Sequence, residues 1–504
     1  MAPAERALTC LVTGATGYVG GRLVPELLAA GHRVRVLTRS PRKLRDRPWI
    51  AQVEVAEADA TDAGAVARAC EGVDVVYYLV HSLGSGPEFE ATERRAAEVV
   101  ARASREAGVG RLVFLGGLEP DDEELSPHLR SRTEVARVLL DSGVPTVVLR
   151  AAIVLGSGSV SFEMLRYLTE RLPVMVTPRW VHSRIQPIAI RDVLRYLVGC
   201  ATLPPDVHRC FDIGGPDVMD YATMMQRYAE VTGLPRRRIL PVPVFTPSLS
   251  SHWVGVITPV PAAIARPLVE SLRNTVVCKE HDIAQYVPDP PEGLLGFDEA
   301  VRLAVLRVRN NAVDTRWTGA SVPGAPSDPL PSDPDWAGGS LYLDERTRET
   351  DATPDALWRV VEGIGGETGW YSFPLAWEVR GWMDRAVGGV GLRRGRRDPA
   401  DLHVGDALDW WRVEELEEGR LLRLRAEMRL PGLAWLEFHV ERADSGRAQL
   451  RQKATFHPLG LLGQLYWWSV SPFHGVVFGS MIRNITRTAE ALDQRGATAS
   501  SRAA

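Results

Sequence analysis

The stretch VTGATGYVGG, Val12 to Gly21, restricts the possible folds more than any other part of the chain. It joins a β-rich run, LTCLVTG (8–14), to a segment with helical apolar spacing, RLVPELLAAG (22–31). Its glycines fall at 14, 17 and 20. In a strand–turn–helix setting each has a mechanical reason. Gly14 permits a tight turn off the strand, Gly17 lets backbone come close to a diphosphate, and Gly20 lets the helix pack closely. The helix N-terminus then offers unpaired N–H groups to the phosphates.

Five more β-rich runs follow: RVRVLTR (33–39), VEVAEAD (53–59), VDVVYYLVH (73–81), RLVFLGG (111–117) and TVVLRAAI (146–153). Helical patterns such as ERRAAEVVARASREAG separate them, several ending in glycine. Alternation of this kind implies a parallel sheet with right-handed crossovers, a Rossmann-type doubly wound α/β fold. The end of the second strand selects between nicotinamide cofactors. An acidic residue there would bind the ribose 2′-hydroxyl, whereas this chain has Arg39, Ser40, Arg42 and Lys43. Arginine pairs with a 2′-phosphate and stacks on adenine, so NADP(H) is expected over NAD(H). A solvated basic helix start is the other reading of the same residues. Asp59, in EADATD, is placed either to meet the adenine amino group or to cap the next helix.

At 504 residues the chain should form two or three domains. Its net charge of −4 gives no footprint for nucleic acid, which is not expected as a partner. Cys10, Cys70, Cys200, Cys210 and Cys278 are scattered without a Cys-x-x-Cys, which suggests neither a disulfide framework nor a zinc site. That usage, with an N-terminus lacking a signal peptide's apolar core, points to a reducing, cytoplasmic location. Leu459–Ile482 carries no Asp, Glu, Lys or Arg and is long enough to span a bilayer. Its Gln464, Pro472, His474 and glycines fit a buried, broken helix pair better. Contact with a membrane surface is a weaker alternative, raised by Tyr466, Trp467 and Trp468.

The organisation reads as a nucleotide-binding domain over 1–310 with an irregular, proline-rich substrate cap, then a Pro/Asp-rich linker over 311–339. An α+β domain follows over 340–492, and the tail 493–504, with GATASSRAA, reads as disordered. In the second domain SLYLDERTR reads as a strand. TPDALWRVVEGIGG reads as a helix with Thr353 as N-cap and Pro354 in its first turn. ALDWWRVEEL, RLLRLRAEMRL, AWLEFHVERA and AQLRQKATFHP alternate as strands, and VVFGSMIRNITRTAEAL closes with a helix. Trp370, Trp377, Trp382, Trp410, Trp411, Trp435, Trp467 and Trp468 fit either a packed core or a ligand cavity. The loop bearing Arg393, Arg394, Arg396 and Arg397 is either solvated or an anchor for an acidic group.

Together TGATGYVG, ADATD and SGVPTVVLRAAIVLG resemble the atypical, NmrA-like branch of the extended short-chain dehydrogenase/reductase superfamily, over about 7–310. GGETGWY, LRRGRRDP, VGDALDWWRVE and AEMRLPGLAWLEFHV resemble a domain of unknown function, number 2867. That second likeness implies a START-like (SRPBCC) helix-grip fold, whose members commonly enclose apolar ligands. The first implies that Gly14, Ala15, Thr16, Gly17, Tyr18 and Val19 contact the cofactor. It also implies that Arg39 and Ser40 meet the 2′-phosphate, Asp59 and Ala60 the adenine, and Leu79, Val80, His81 and Ser82 the ribose and nicotinamide.

Such reductases typically pair a proton-donating Tyr with a Lys four residues on and a Ser that holds the carbonyl. This chain departs at each place. Gly116 and Gly117 follow the fifth strand, and SPHLRSR puts His128 and Arg132 at the Tyr and Lys spacing. Histidine donates protons near neutral pH. Arginine does not give up its own and would lower its neighbour's pKa. Ser131 is placed to orient a substrate oxygen. The same heptapeptide reads equally as a helix start, with Ser126 as N-cap and Pro127 at the first position. His81, at the end of the fourth strand, is a second candidate acid or a pocket-lining residue; of Tyr77 and Tyr78 at most one can reach the site. The candidate catalytic set is therefore His81, His128 and Arg132. The leading expectation is an NADP(H)-dependent oxidoreductase acting on an apolar small molecule. The alternatives are a non-catalytic NADP(H) sensor and a lipid or partner carrier.

Overall fold

In the computed structural model all six β-rich runs of the N-terminal region form strands; five bury their apolar residues between two helical layers, and the edge strand Glu54–Glu57 stays largely exposed. They are β1 (Thr9–Thr13), β2 (Arg33–Thr38), β3 (Glu54–Glu57), β4 (Val75–Tyr78), β5 (Arg111–Gly117) and β6 (Thr146–Ala151). The structure describes residues 7–45, 47–80, 89–120, 126–242, 258, 274–312, 341–372, 402–428, 430–443 and 445–503. The chain divides into two units, Met1–Gly339 and Ser340–Ala504.

The first unit's connecting helices are α1 (Tyr18–Ala29), α2 (Ala63–Cys70), α3 (Phe89–Glu106) and α4 (Pro127–Leu140). Beyond β6 come β7 (Val154–Leu155), α5 (Val160–Arg171), β8 (Val174–Pro178), β9 (Arg184–Ile185), β10 (Ile188–Ala189) and α6 (Ile190–Gly199). Then follow β11 (Arg209–Ile213), β12 (Met219–Asp220), α7 (Tyr221–Thr232), β13 (Arg238–Val242) and a helix Phe297–Ala312. The main sheet is parallel, in the order β3-β2-β1-β4-β5-β6-β11. Chain direction across it reverses between β1 and β4, the switch point where α/β sheets hold ligands. Leu23, Leu27 and Leu197 pack on one side of the sheet, Val66, Val100 and Leu139 on the other.

The seventh strand, β11, lies within the stretch expected to be irregular cap. RCFDI hides its strand character behind Asp212, almost wholly buried, whose carboxylate pairs with Arg150 of β6 at 2.7 Å. The cap itself is built from short pairings: β7 with β10, β9 with β12, and β8 with β13. Around them α5 is buried from Phe162 to Glu170. Its charges are matched internally: Arg166 lies 3.3 Å from Glu163, and Tyr228 donates to Glu170 at 2.6 Å.

In the second unit β14 (Tyr342–Thr350), β15 (Ala407–Leu408), β16 (Trp411–Glu417), β17 (Leu421–Ala426), β18 (Gly432–Arg442) and β19 (Ala448–Pro458) form one antiparallel sheet. Its order is β14-β19-β18-β17-β16-β15. The helix Pro354–Glu362 starts as its sequence requires, with the Thr353 hydroxyl accepting from the Ala356 amide at 3.3 Å. Leu424, Leu436, Phe438 and Leu450 on one face of the sheet bury against Leu357, Val361, Met481 and Ile485. Trp370, Trp410 and Trp411 belong to that core, with Trp370 and Trp410 stacked at 5.9 Å. Trp377, Trp382, Arg393, Arg394, Arg396 and Arg397 lie outside the described residues, as does the linker from 313 to 339.

Two expectations are corrected at the C-terminus. Leu459–Ile482 is not a buried, broken helix pair. It opens one continuous helix, Gly460–Ala503, with Pro472 inside and exposed on its solvent side. Pro472 removes one intrahelical bond, yet Phe478, Met481, Ile482 and Ile485 bury the helix beyond it. The tail from 493 is also helical to Ala503 rather than disordered: Ala is the best helix former, and a single Gly496 does not outweigh it. Among the described residues no helix is long and apolar enough to cross a membrane.

His474 of this helix lies between Trp467, at 4.7 Å, and Phe478, at 4.8 Å. Burial pulls its imidazole below the ordinary histidine value; Asp344 at 3.8 Å opposes this and Arg346 adds to it. A depressed histidine favours the neutral form in the fold. Its stabilisation is complete above the unfolded value of about 6.5 and is lost as pH falls through the folded one. The thermal midpoint of the second unit should therefore fall from pH 7 to pH 5, and less steeply in His474→Gln. Parallel pH profiles for the two proteins would refute this.

Candidate functional site

An open cavity of about 670 Å³ lies over the carboxyl ends of β1, β2 and β4. Gly14, Thr16, Gly17, Tyr18, Val19 and Gly20 form its floor. Gly14 takes φ +73°, and a Cβ there would lie 2.5 Å from the Leu79 carbonyl oxygen. Gly20 meets the turn from the other side: its Cβ would lie 2.4 Å from the Gly14 carbonyl oxygen. The contact that requires a glycine at 20 is therefore with the loop itself. Gly17 is the N-cap of α1, with no side-chain cap and no acidic residue in the first turn. The amides at the start of α1 are thus left for an anion, and the dipole favours one. Ala15, also expected to touch cofactor, is fully buried and packs into the core beneath the loop.

Thr13 organises this edge, a role that the sequence alone did not reveal. Its buried hydroxyl donates to the Tyr77 carbonyl at 3.1 Å and accepts from the Leu79 amide at 3.0 Å. The end of β1 is thereby tied to the end of β4, holding Gly14 against Leu79. Tyr18 and Arg22 extend the connection to the cap. Arg22 lies 4.1 Å from the Tyr18 ring centre and donates to the Ser157 carbonyl at 3.2 Å. A Cβ on Gly156 would lie 2.3 Å from the Tyr18 hydroxyl.

On the far wall are Arg39, Ser40 and Lys43, facing Asp59, Ala60 and Thr61. The Arg39 side chain is 80% exposed and forms an ion pair with Asp59 at 3.7 Å. An exposed pair of that length contributes little to stability and is readily exchanged. Asp59 does not cap the next helix. Asp62 does, accepting from the Ala65 amide at 3.0 Å. Asp59 accepts from the Thr61 hydroxyl at 2.6 Å and amide at 2.9 Å, bonds that hold its carboxyl below the usual value, with Arg39 assisting.

Leu79, Val80, Leu115 and Arg132 close the opposite end, with Thr92 and Ala96 beside them. The Arg132 guanidinium lies 4.5 Å from the Phe114 ring centre. It donates to the Val80 carbonyl at 3.4 Å and to the Leu115 carbonyl. Burial lowers its pKa, while Glu93 opposes this. Ser131 does not face the cavity; it donates to buried Glu93. The SPHLRSR segment is a helix start as well: the Ser126 hydroxyl accepts from the Leu129 amide at 3.2 Å and Pro127 sits in the first turn. His128 is half-buried one turn before Arg132. Tyr77 and Tyr78 are both buried, in opposite layers, where burial pushes both phenols up; neither lines the cavity. His81 and Ser82 lie outside the described residues.

Residues 14–158 match a family model described as NAD(P)H-binding, and 336–481 match one described as a protein of unknown function (DUF2867). A relative from Streptomyces griseus, named (4-alkanoyl-5-oxo-2,5-dihydrofuran-3-yl)methyl phosphate reductase, is 31% identical over 236 residues, 45% of this chain and 75% of its own. A Mycobacterium tuberculosis protein named 3 beta-hydroxysteroid dehydrogenase/Delta 5-->4-isomerase is 34% identical over 114 residues. Those residues are 21% of this chain and 30% of that one, so under a third of that relative is matched. Among solved structures, the Citrobacter sp. triphenylmethane reductase complexed with NADP(H) aligns with a TM-score of 0.47 and 19% identity, over 59% of this chain and 99% of its own.

Thr13→Val keeps the side-chain shape but leaves the Leu79 amide and the Tyr77 carbonyl without their link. A loss of about 1–3 kcal/mol is expected in urea unfolding of the first unit, with weaker NADPH binding by fluorescence titration. Unchanged stability would show that the link does not hold the site together.

Proposed function

The chain belongs to the NAD(P)-binding reductases of the short-chain dehydrogenase/reductase type, NmrA-like branch, and on that premise we propose that it is an NADPH-dependent oxidoreductase for an apolar, conjugated small molecule. The observation that carries the cofactor choice is Arg39. An exposed guanidinium ends β2 in the same cavity as the uncapped start of α1. An incoming 2′-phosphate would replace a weak 3.7 Å contact with Asp59 by a bidentate, charge-assisted pair. The residues present fit the dinucleotide: bare amides for the diphosphate, Arg39 and Ser40 for the 2′-phosphate, and Asp59 with Ala60 beside the adenine.

Bound NADPH supplies a hydride. The chain's own contribution is binding and placement. Arg132 and Thr13 hold the carbonyls at the ends of β4 and β5, and Leu79, Val80 and Leu115 form an apolar wall. Arg132 donates to backbone and keeps its proton, so it serves as a positioning residue. His128 and His81 remain the candidate acids. With the usual Tyr–Lys pair missing, quinones and conjugated enones suit the site best, since water can protonate the oxygen of their reduced forms. The Streptomyces relative is named for an oxo-dihydrofuran, a conjugated ring of that class. We read the second unit as a START-like ligand-binding domain, supported by its six-stranded antiparallel sheet and the long helix along its inner face.

A non-catalytic NADP(H) sensor is favoured by one observation, the engagement of Arg132 with backbone carbonyls. Two measurements test the cofactor choice and then separate the readings. Arg39→Asp should weaken NADPH at least tenfold, about 1.4 kcal/mol, and leave NADH nearly unchanged. Equal losses would remove the 2′-phosphate assignment. NADPH oxidation across a panel of quinones and enones should be measurable and fall in His128→Ala or His81→Ala. Tight NADPH binding without oxidation of any of them would support the sensor.

A further inference from the structure

The C-terminal helix Gly460–Ala503 changes character along its length. Its buried side, Phe478, Met481, Ile482 and Ile485, packs into the second unit's core. On the solvent side of its first half, Leu462, Leu465, Trp468, Phe473 and Val476 are each more than half exposed. At 3.6 residues per turn and 1.5 Å per residue these five fall within an arc of about 140° that runs for roughly 21 Å. The following residues on that arc are Arg483 and Arg487, both exposed. No acidic residue occurs between Leu459 and Arg487; the first is Glu490.

We propose that this arc rests in the interface of an anionic membrane, with the five apolar side chains among the acyl-chain boundaries and the two arginines among the phosphates. Three features select that occupant. The arc is a convex, nearly uncharged strip, which the hydrocarbon boundary accepts and water does not. Its cations lie at one end, complementary to acidic headgroups, and the carboxylate that follows on the arc, Glu490, is half-buried and accepts from the buried Thr350 hydroxyl at 2.8 Å. The helix also falls short of the apolar length needed to cross, so it lies on a bilayer rather than through it. The inference is independent of the oxidoreductase reading, because no cavity residue belongs to this helix.

Flotation of the full-length protein tests it, with phosphatidylcholine vesicles alone or doped with phosphatidylglycerol. The wild type should float with the anionic vesicles and be released by salt. The double variant Leu465→Asp/Val476→Asp should stay behind with an unchanged thermal midpoint and unchanged NADPH binding, since both positions are exposed. Arg483→Gln/Arg487→Gln should partition roughly thirtyfold more weakly, from about 1 kcal/mol per arginine. Wild-type protein left in the supernatant at low salt would overturn the proposal. So would flotation that persists in the aspartate variant. A dimer that the aspartates dissociate, without any flotation, would assign the strip to a second copy instead.

Discussion

The nucleotide site depends on one close approach: the Gly14 turn presses against the Leu79 carbonyl, with no space for a side chain between them. Strands β1 and β4 diverge just beyond this contact, and the cavity opens where they part. Thr13 holds the two strand ends from below and Gly20 fits the first helix against the turn from above. With both in place, the uncapped helix start and Arg39 line the same cavity. The recognition of a phosphate-bearing ligand thus follows from steric exclusion at a single α-carbon.

The opposite end of the cavity is built on a different logic. The usual reductase uses a lysine that can influence the proton of a neighbouring tyrosine. Here the spacing is kept, but the side chain at 132 is spent on carbonyl oxygens and an aromatic face. Both tyrosines of β4 face away, one into each helical layer. What remains at this end is an apolar wall of Leu79, Val80 and Leu115 braced by Arg132.

Much of this was legible in the residues. Strand–helix alternation and the glycine spacing identified the sheet and the loop, because short β-branched runs and a turn at Gly14 have few other folds open to them. Less visible were features that depend on pairing across long separations. β11 hid behind Asp212, whose cost is offset by Arg150, 62 residues away, and by the Lys279 amide, 67 residues away. Asp59 has the residue type of a cap, but Asp62 takes that place while Thr61 bonds back to Asp59. Thr13 carried no signal, since a hydroxyl at a strand end is ordinary until its two partners on β4 are known. At the C-terminus, proline and glycine suggested a break. Neighbouring side chains bury enough of the helix beyond Pro472 to outweigh the bond it loses.

Gly156 and Ser157 bear on how such enzymes diversify. The loop after β7 reaches back to the nucleotide-binding helix through Arg22, and only a residue without a side chain clears the Tyr18 hydroxyl. A cap grafted from another reductase would need glycine at that junction even with a smaller side chain at 18, because Ile190 Cγ2 would lie 2.8 Å from the same Cβ. Exchange of specificity by recombination is therefore limited to segments beyond this joint.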